Sequence, residues 1–183
     1  MDRRLILMSL AAMAGTGPAL AQMAGSTSGA MSGSMPGGMT MEMGQAEKNH
    51  AMRTGAAGAA ALMVADLGLE KARGAKVKEF AKFEHDEQTT IAEILKSMDP
   101  SMSPPKPDAK MTATIDKLRE MKPGPEFDRA FIQAQTDGHE VLLDIQEDYL
   151  KVGKNREVVN VTKLARGQIK EHLTLLSDLK KMG

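Results

Sequence analysis

The sequence predicts an all-α protein, an antiparallel four-helix bundle with a Pro-rich crossover and a short extra helix. Apolar residues recur at intervals of three and four through four long stretches, the pattern of one buried helical stripe. Nothing alternates with the period of two that a half-buried strand requires. Gly74 separates the first two stretches, and Gly153 with Asn155 separates the last two. Pro100, Pro104, Pro105 and Pro107 stop helix formation between the second and third. Two helical hairpins joined by a longer connection are the outcome of that spacing.

Each element follows in order. The first helix is expected over 46–72, with Met52, Ala56, Ala59, Met63 and Leu67 on one face, and with Gly55, Gly58 and Gly68 allowing close approach of a neighbour. The second is expected over 75–98 with the stripe Val77, Phe80, Glu84, Gln88, Ile91, Leu95 and Met98. A short amphipathic helix at 109–121 ends at Pro123-Gly124-Pro125. The third long helix, 126–152, carries Phe127, Phe131, Ala134, Gly138, Leu142, Ile145, Tyr149 and Val152. The fourth, 156–181, carries Val158, Val161, Ala165, Gln168, His172, Leu175 and Leu179.

Residues 1–21 read as a signal peptide. Arg3 and Arg4 give a positive start, Leu5 to Ala14 an apolar run, and Ala19-Leu20-Ala21 a cleavage pattern of small residues. That run is shorter than the roughly 20 residues a membrane anchor needs, so no transmembrane anchor is expected after cleavage. The absence of cysteine excludes a lipidated mature terminus, disulfides and thiolate ligands. A periplasmic protein is the expectation. Residues 22–44 read as a disordered Met/Gly/Ser-rich tail, and 45–183 as the helical domain. The leader takes Asp2, Arg3 and Arg4 with it, so 24 basic and 24 acidic residues become 22 and 23. With mixed charges, no Trp and few aromatics, nucleic-acid binding has no support.

The functional information lies in polar residues that interrupt the stripes. A buried polar side chain costs about 1–3 kcal/mol unless paired. Glu84 and Gln88 fall midway along the second helix, Gln168 and His172 midway along the fourth. Folding at Gly153 brings His139 within about one turn of His172. Glu84, His139 and His172 thus form a candidate metal site, since one carboxylate and two imidazoles suit Zn, Cu or Fe. A polar layer of the same residues with Gln88 and Gln168, hydrogen-bonded to itself and fixing helix register, is the reading the pattern favours. His50 and His85 are expected at the surface.

A di-iron oxidase centre needs Glu-x-x-His on two helices. Lys82, Thr136 and Ile169 stand three residues before His85, His139 and His172, so that motif is missing. No nucleophile motif points to a hydrolase, and a non-enzymatic role in envelope stress or metal handling is expected. In the tail, Met23, Met31, Met35, Met39, Met41 and Met43 supply soft thioethers, with Met35, Met39, Met41 and Met43 closely spaced. Such a cluster suits Cu(I), or serves as a spacer or oxidant sink. Copper or another transition metal is therefore the cofactor left open, and a second copy of the chain the partner left open.

Three stretches resemble a known family: Val77 through Glu84, Phe127-Asp128-Arg129-Ala130-Phe131 followed by His139, and Ile169-Lys170-Glu171-His172-Leu173. Their order and spacing are similar to the domain-of-unknown-function family 4142 over about 50–181. The resemblance implies an exported bacterial protein with a ferritin-like four-helix bundle, of a kind often labelled outer-membrane protein, and no established activity. His139 and His172 match the family pattern. A histidine common in the second helix is Gln88 here, and the first-helix Glu of many members is missing around Ala61 to Met63, leaving Glu84 as the substitute ligand.

Overall fold

The computed structural model describes residues 43–103 and 105–182, and these contain five helices and no strand. They are α1 (Gln45–Lys71), α2 (Ala75–Met98), α3 (Ala109–Glu120), α4 (Pro125–Val152) and α5 (Arg156–Met182). Every expected helix is present within two residues of its expected ends. The leader and all of the tail but Met43 and Gly44 lie outside the described residues, so the structure does not bear on the expectations placed there. No described helix is long and apolar enough to cross a membrane.

Helix α1 packs on α2 and α4, α4 packs on α5, and α3 lies against α1 and α4. Small residues make the close approaches possible. Ala57, Ala60, Ala61 and Ala65 are buried along α1. At Gly68 a Cβ atom would collide with the ring of Phe131 and lie 2.8 Å from Ala81 Cβ, so α1, α2 and α4 converge where only hydrogen fits. Phe127 and Phe131, both fully buried, fill this end of the core with Phe80, Ile115, Leu118 and Leu176.

The helix ends are tied by polar groups from other helices. Asp128 on α4 accepts from Arg73 N (3.0 Å) and Gly74 N (2.7 Å), satisfying amides at the start of α2. Asp108 caps α3 by accepting from Met111 N at 2.8 Å. Lys71 Nζ is buried against the C-terminus of α3, donating to the carbonyls of Leu118 (3.4 Å), Arg119 and Met121 (3.2 Å). A cation is favoured there by the helix dipole. Glu47 Oε1 accepts from Tyr149 Oη (3.0 Å), Lys154 N (3.2 Å) and Asn155 N (3.3 Å), joining the start of α1 to the α4–α5 turn.

Several expected faces are turned. On α5 the buried series is Val158, Thr162, Ala165, Ile169, His172, Leu176 and Leu179. The heptad positions Val158, Ala165, His172 and Leu179 hold, but the residues between them step by four and then three. Thr162, Ile169 and Leu176 therefore replace Val161, Gln168 and Leu175, exchanging an amide for aliphatic carbon; Thr162 satisfies its hydroxyl on Val158 O at 2.7 Å. On α1 the expected Met52 and Met63 are exposed, because the alanine-rich side permits the closer contact. Val152 is exposed at the end of α4.

His50, expected at the surface, is buried. It stacks on Tyr149 with ring centroids 4.2 Å apart, and its Nε2 lies 2.9 Å from Gln146 Oε1. With Thr54 and Glu47 it forms a second internal polar cluster.

Two predictions follow from this packing. Gly68→Ala is expected to destabilise the chain by about 1–3 kcal/mol through overpacking, although alanine alone favours a helix by about 1 kcal/mol. Gly138→Ala, where nothing lies within 4 Å of the added methyl, is expected to show that propensity gain instead; urea denaturation of the two variants measures both signs. For Glu47, burial pushes the carboxyl up but the backbone and Tyr149 hydrogen bonds outweigh it, leaving it below its ordinary 4.5. Its contribution is thus complete above pH 4.5 and lost as pH falls through the lowered value. The difference in urea midpoint between wild type and Glu47→Gln is expected to shrink on acidification below 4.5.

Candidate metal centre

Three helices each contribute one ligand type to a single buried point. Glu84 lies midway along α2, His139 midway along α4 and His172 midway along α5; their exposures are 0%, 0% and 6%. Glu84 Oε2 is 3.1 Å from His139 Nε2 and 3.0 Å from His172 Nδ1, and the two nitrogens are 3.1 Å apart. An ion at about 2.0–2.2 Å from each donor, the usual Zn–N and Zn–O range, sets its donors roughly 2.8–3.6 Å apart between right-angled and tetrahedral geometry. The three atoms already have nearly that separation.

The outer nitrogen of each imidazole faces an oxygen, and that of His139 is hydrogen-bonded to it. His139 Nδ1 donates to Gln135 O at 2.7 Å, and a carbonyl can only accept, so this nitrogen carries a proton. His172 Nε2 lies 3.3 Å from Glu87 Oε2. With that proton placed outside, His139 Nε2 is left to present a lone pair inward; Glu87 Oε2 itself is buried with no hydrogen-bond partner among the described residues, so it meets His172 as a nearby charge. Carbonyl and carboxylate partners on the far nitrogen are the usual second layer around metal-ligating histidines.

Without an ion, the same atoms form a charged hydrogen-bonded triad. Burial pushes the Glu84 carboxyl up, but hydrogen bonds from His139 and His172 outweigh it and hold the group at about 2. Burial depresses His139, yet the bond to Glu84 more than compensates and raises it above its ordinary value. Burial pushes Glu87 up. The carboxylate–imidazolium pairing leaves Glu84 Oε1 buried with no partner among the described residues. That orphan oxygen is a cost in the triad and a further coordinating atom in a metal site.

Phe80 closes one side, its ring centroid 5.2 Å from that of His172 and 6.0 Å from that of His139. The described histidines, carboxylates and cysteines contain one group of three or more that could hold a metal ion, and it is this one.

Of the residues expected in the layer, Glu84, His139 and His172 meet. Gln88 is buried but faces α1, lying over Gly58 and lining a separate cavity of about 470 Å³ with Thr54 and Leu95. Gln168 is exposed and takes no part, because the α5 stripe is turned by one residue. Met43 is half-buried just ahead of α1, whereas Met35, Met39 and Met41 lie outside the described residues. The sequence reading missed Glu87 and Gln135. Spacing was the available signal, since Glu87 is three residues after Glu84 and Gln135 four before His139.

No curated protein and no solved structure matches the chain. One family does, through a match over residues 32–179 that takes in the described helices up to Leu179 and the final methionines of the tail. The chain belongs to that family, the domain of unknown function DUF4142.

Proposed function

We propose that this chain is an exported, periplasmic, non-enzymatic metal-handling protein that holds one divalent transition-metal ion at Glu84, His139 and His172. The single observation that carries the reading is the convergence of three donor atoms at 3.0–3.1 Å, with the outer nitrogen of His139 hydrogen-bonded to Gln135 O and that of His172 3.3 Å from the Glu87 carboxylate. Two imidazoles and a carboxylate suit zinc, copper or ferrous iron. A polar layer hydrogen-bonded to itself would not leave Glu84 Oε1 unpaired.

The proposed frame is an antiparallel four-helix, ferritin-like bundle. Pairings that run in opposite chain directions support it: Glu47 with Tyr149 and Gln135 with Ala61 for α1 and α4, and His139 with His172 and Gln133 with Lys180 for α4 and α5. In such a bundle α2 and α4 run parallel, which the crossover through α3 accommodates. A single Glu/His/His set gives one ion position, and the missing Glu-x-x-His argues against a two-iron oxidase. The tail methionines support a second, separate capacity for Cu(I).

Chelator-treated full-length chain, titrated calorimetrically with Zn²⁺, Cu²⁺ and Fe²⁺ in turn, is expected to take up one equivalent of at least one of them. Affinity should fall by about 100-fold or more in His139→Ala and in Glu84→Gln, beyond the 10–100-fold typical of outer-layer changes. Removal of residues 22–44 should leave that equivalent in place and abolish only Cu(I) binding. Failure of all three metals to bind would reduce the cluster to a structural layer. His172→Leu should lose the ion, and because it takes one of two partners from the buried Glu84 carboxylate it should also lower the stability of the metal-free chain, measured by urea denaturation.

A further inference from the structure

We propose that the ion reaches this centre through the groove between α2 and α5, with Glu87 as the carboxylate that passes it to His172 and Glu84. The inference rests on the metal reading above and concerns how the ion enters. Glu84 and His139 are closed off completely, and His172 alone of the three lines a cavity open to solvent. That cavity is a groove of about 540 Å³, and Asp86, Glu87, Gln168 and Glu171 line it beside His172.

The charge in the groove has one sign. Three of its lining residues are acidic and none is lysine or arginine. Lys82 on the outer surface of α2 pairs with Asp86 at 3.1 Å, which leaves Glu87 and Glu171 without a cationic side-chain partner other than His172 among the described residues. A cleft lined by one sign of charge between low-dielectric walls concentrates counter-ions and raises association rates by about 10–1000-fold.

The inner end of the groove has a graded set of oxygens. Glu171 and Asp86 are exposed, the side chain of Glu87 is 9% exposed, and Glu84 is fully enclosed. Glu84 and Glu87 are one turn apart on the same side of α2 and grip the two nitrogens of one ring: Glu87 Oε2 at 3.3 Å from His172 Nε2, and Glu84 Oε2 at 3.0 Å from Nδ1. An ion held at Glu87 is therefore separated from its final position by the imidazole of His172 alone. Rotation of that ring opens the way inward; Glu87 Oε2 and Glu84 Oε1, one on each carboxylate, are both buried with no hydrogen-bond partner among the described residues.

Rapid mixing of metal-free full-length chain with Co²⁺, followed by the visible absorption of the bound ion, tests the route. Gln168→Lys places a cation in the groove without touching a ligand, and is expected to slow loading about 10-fold at low salt while changing equilibrium affinity less than twofold. Glu171→Gln should slow it several-fold and flatten its salt dependence. Ala113→Lys, the same added charge on the exposed side of α3, should leave the rate unchanged. Glu87→Gln should slow loading and also weaken binding, since it removes the negative charge 3.3 Å from His172 Nε2. Normal loading by Gln168→Lys and Glu171→Gln, with the wild type binding one Co²⁺, would overturn the groove as the route and leave the centre intact. Absence of Co²⁺ uptake by the wild type would overturn centre and route together.

Discussion

The constraint on which this molecule turns is a carboxylate with no access to water. Glu84 sits in the interior of α2, and an isolated charge there would be far too costly to keep. It survives because two imidazoles from two other helices reach the same oxygen. That requirement ties α2, α4 and α5 to one cross-section: a helix sliding by one turn would move its group by about 5.4 Å and leave a charge unpaired. The register of three helices is thus set by electrostatics, where elsewhere it is set by the fit of alanine and glycine against phenylalanine.

This division of labour is visible along the core. Toward Gly68 the helices meet through Phe127, Phe131, Phe80 and Leu176, a dry apolar end in which glycine removes steric bulk. At the α4–α5 turn, Glu47, His50, Thr54, Gln146 and Tyr149 form a polar lattice that closes the opposite end. The Glu84 centre lies between them. A site that must keep its donors about 3 Å apart gains from having both ends fixed by other means, because its own geometry then does not have to hold the helices in place.

Much of this could be read from sequence. Helix limits were legible because glycine and proline punctuate the chain where turns occur, and His139, His172 and Glu84 because a polar residue in an apolar stripe demands a partner. What could not be read was the rotation of each helix about its axis. On α5 the same heptad anchors serve a stripe through Gln168 and Leu175 or one through Ile169 and Leu176, and only the neighbouring helices decide between them. On α1, where seven of the thirteen buried residues are alanine or glycine, periodicity carries little contrast and puts methionines inside and His50 outside. Glu87 and Gln135 were hidden for a different reason. They act on the far side of another residue's ring, and Gln135 does so through its backbone carbonyl, an atom every residue possesses.

The buried Lys71 has a similar character. Its ammonium group binds the carbonyls of Leu118, Arg119 and Met121, so it recognises where α3 stops rather than what α3 is made of. Side chains at those three positions are free to change as far as this contact is concerned. A single inserted residue in α3 is another matter, since it would swing the terminal carbonyls about 100° around the helix axis and leave the ammonium facing nothing. The Lys71 contact is therefore indifferent to the side chains that end α3 and strict about its length, whereas Ile115 and Leu118 answer to the core.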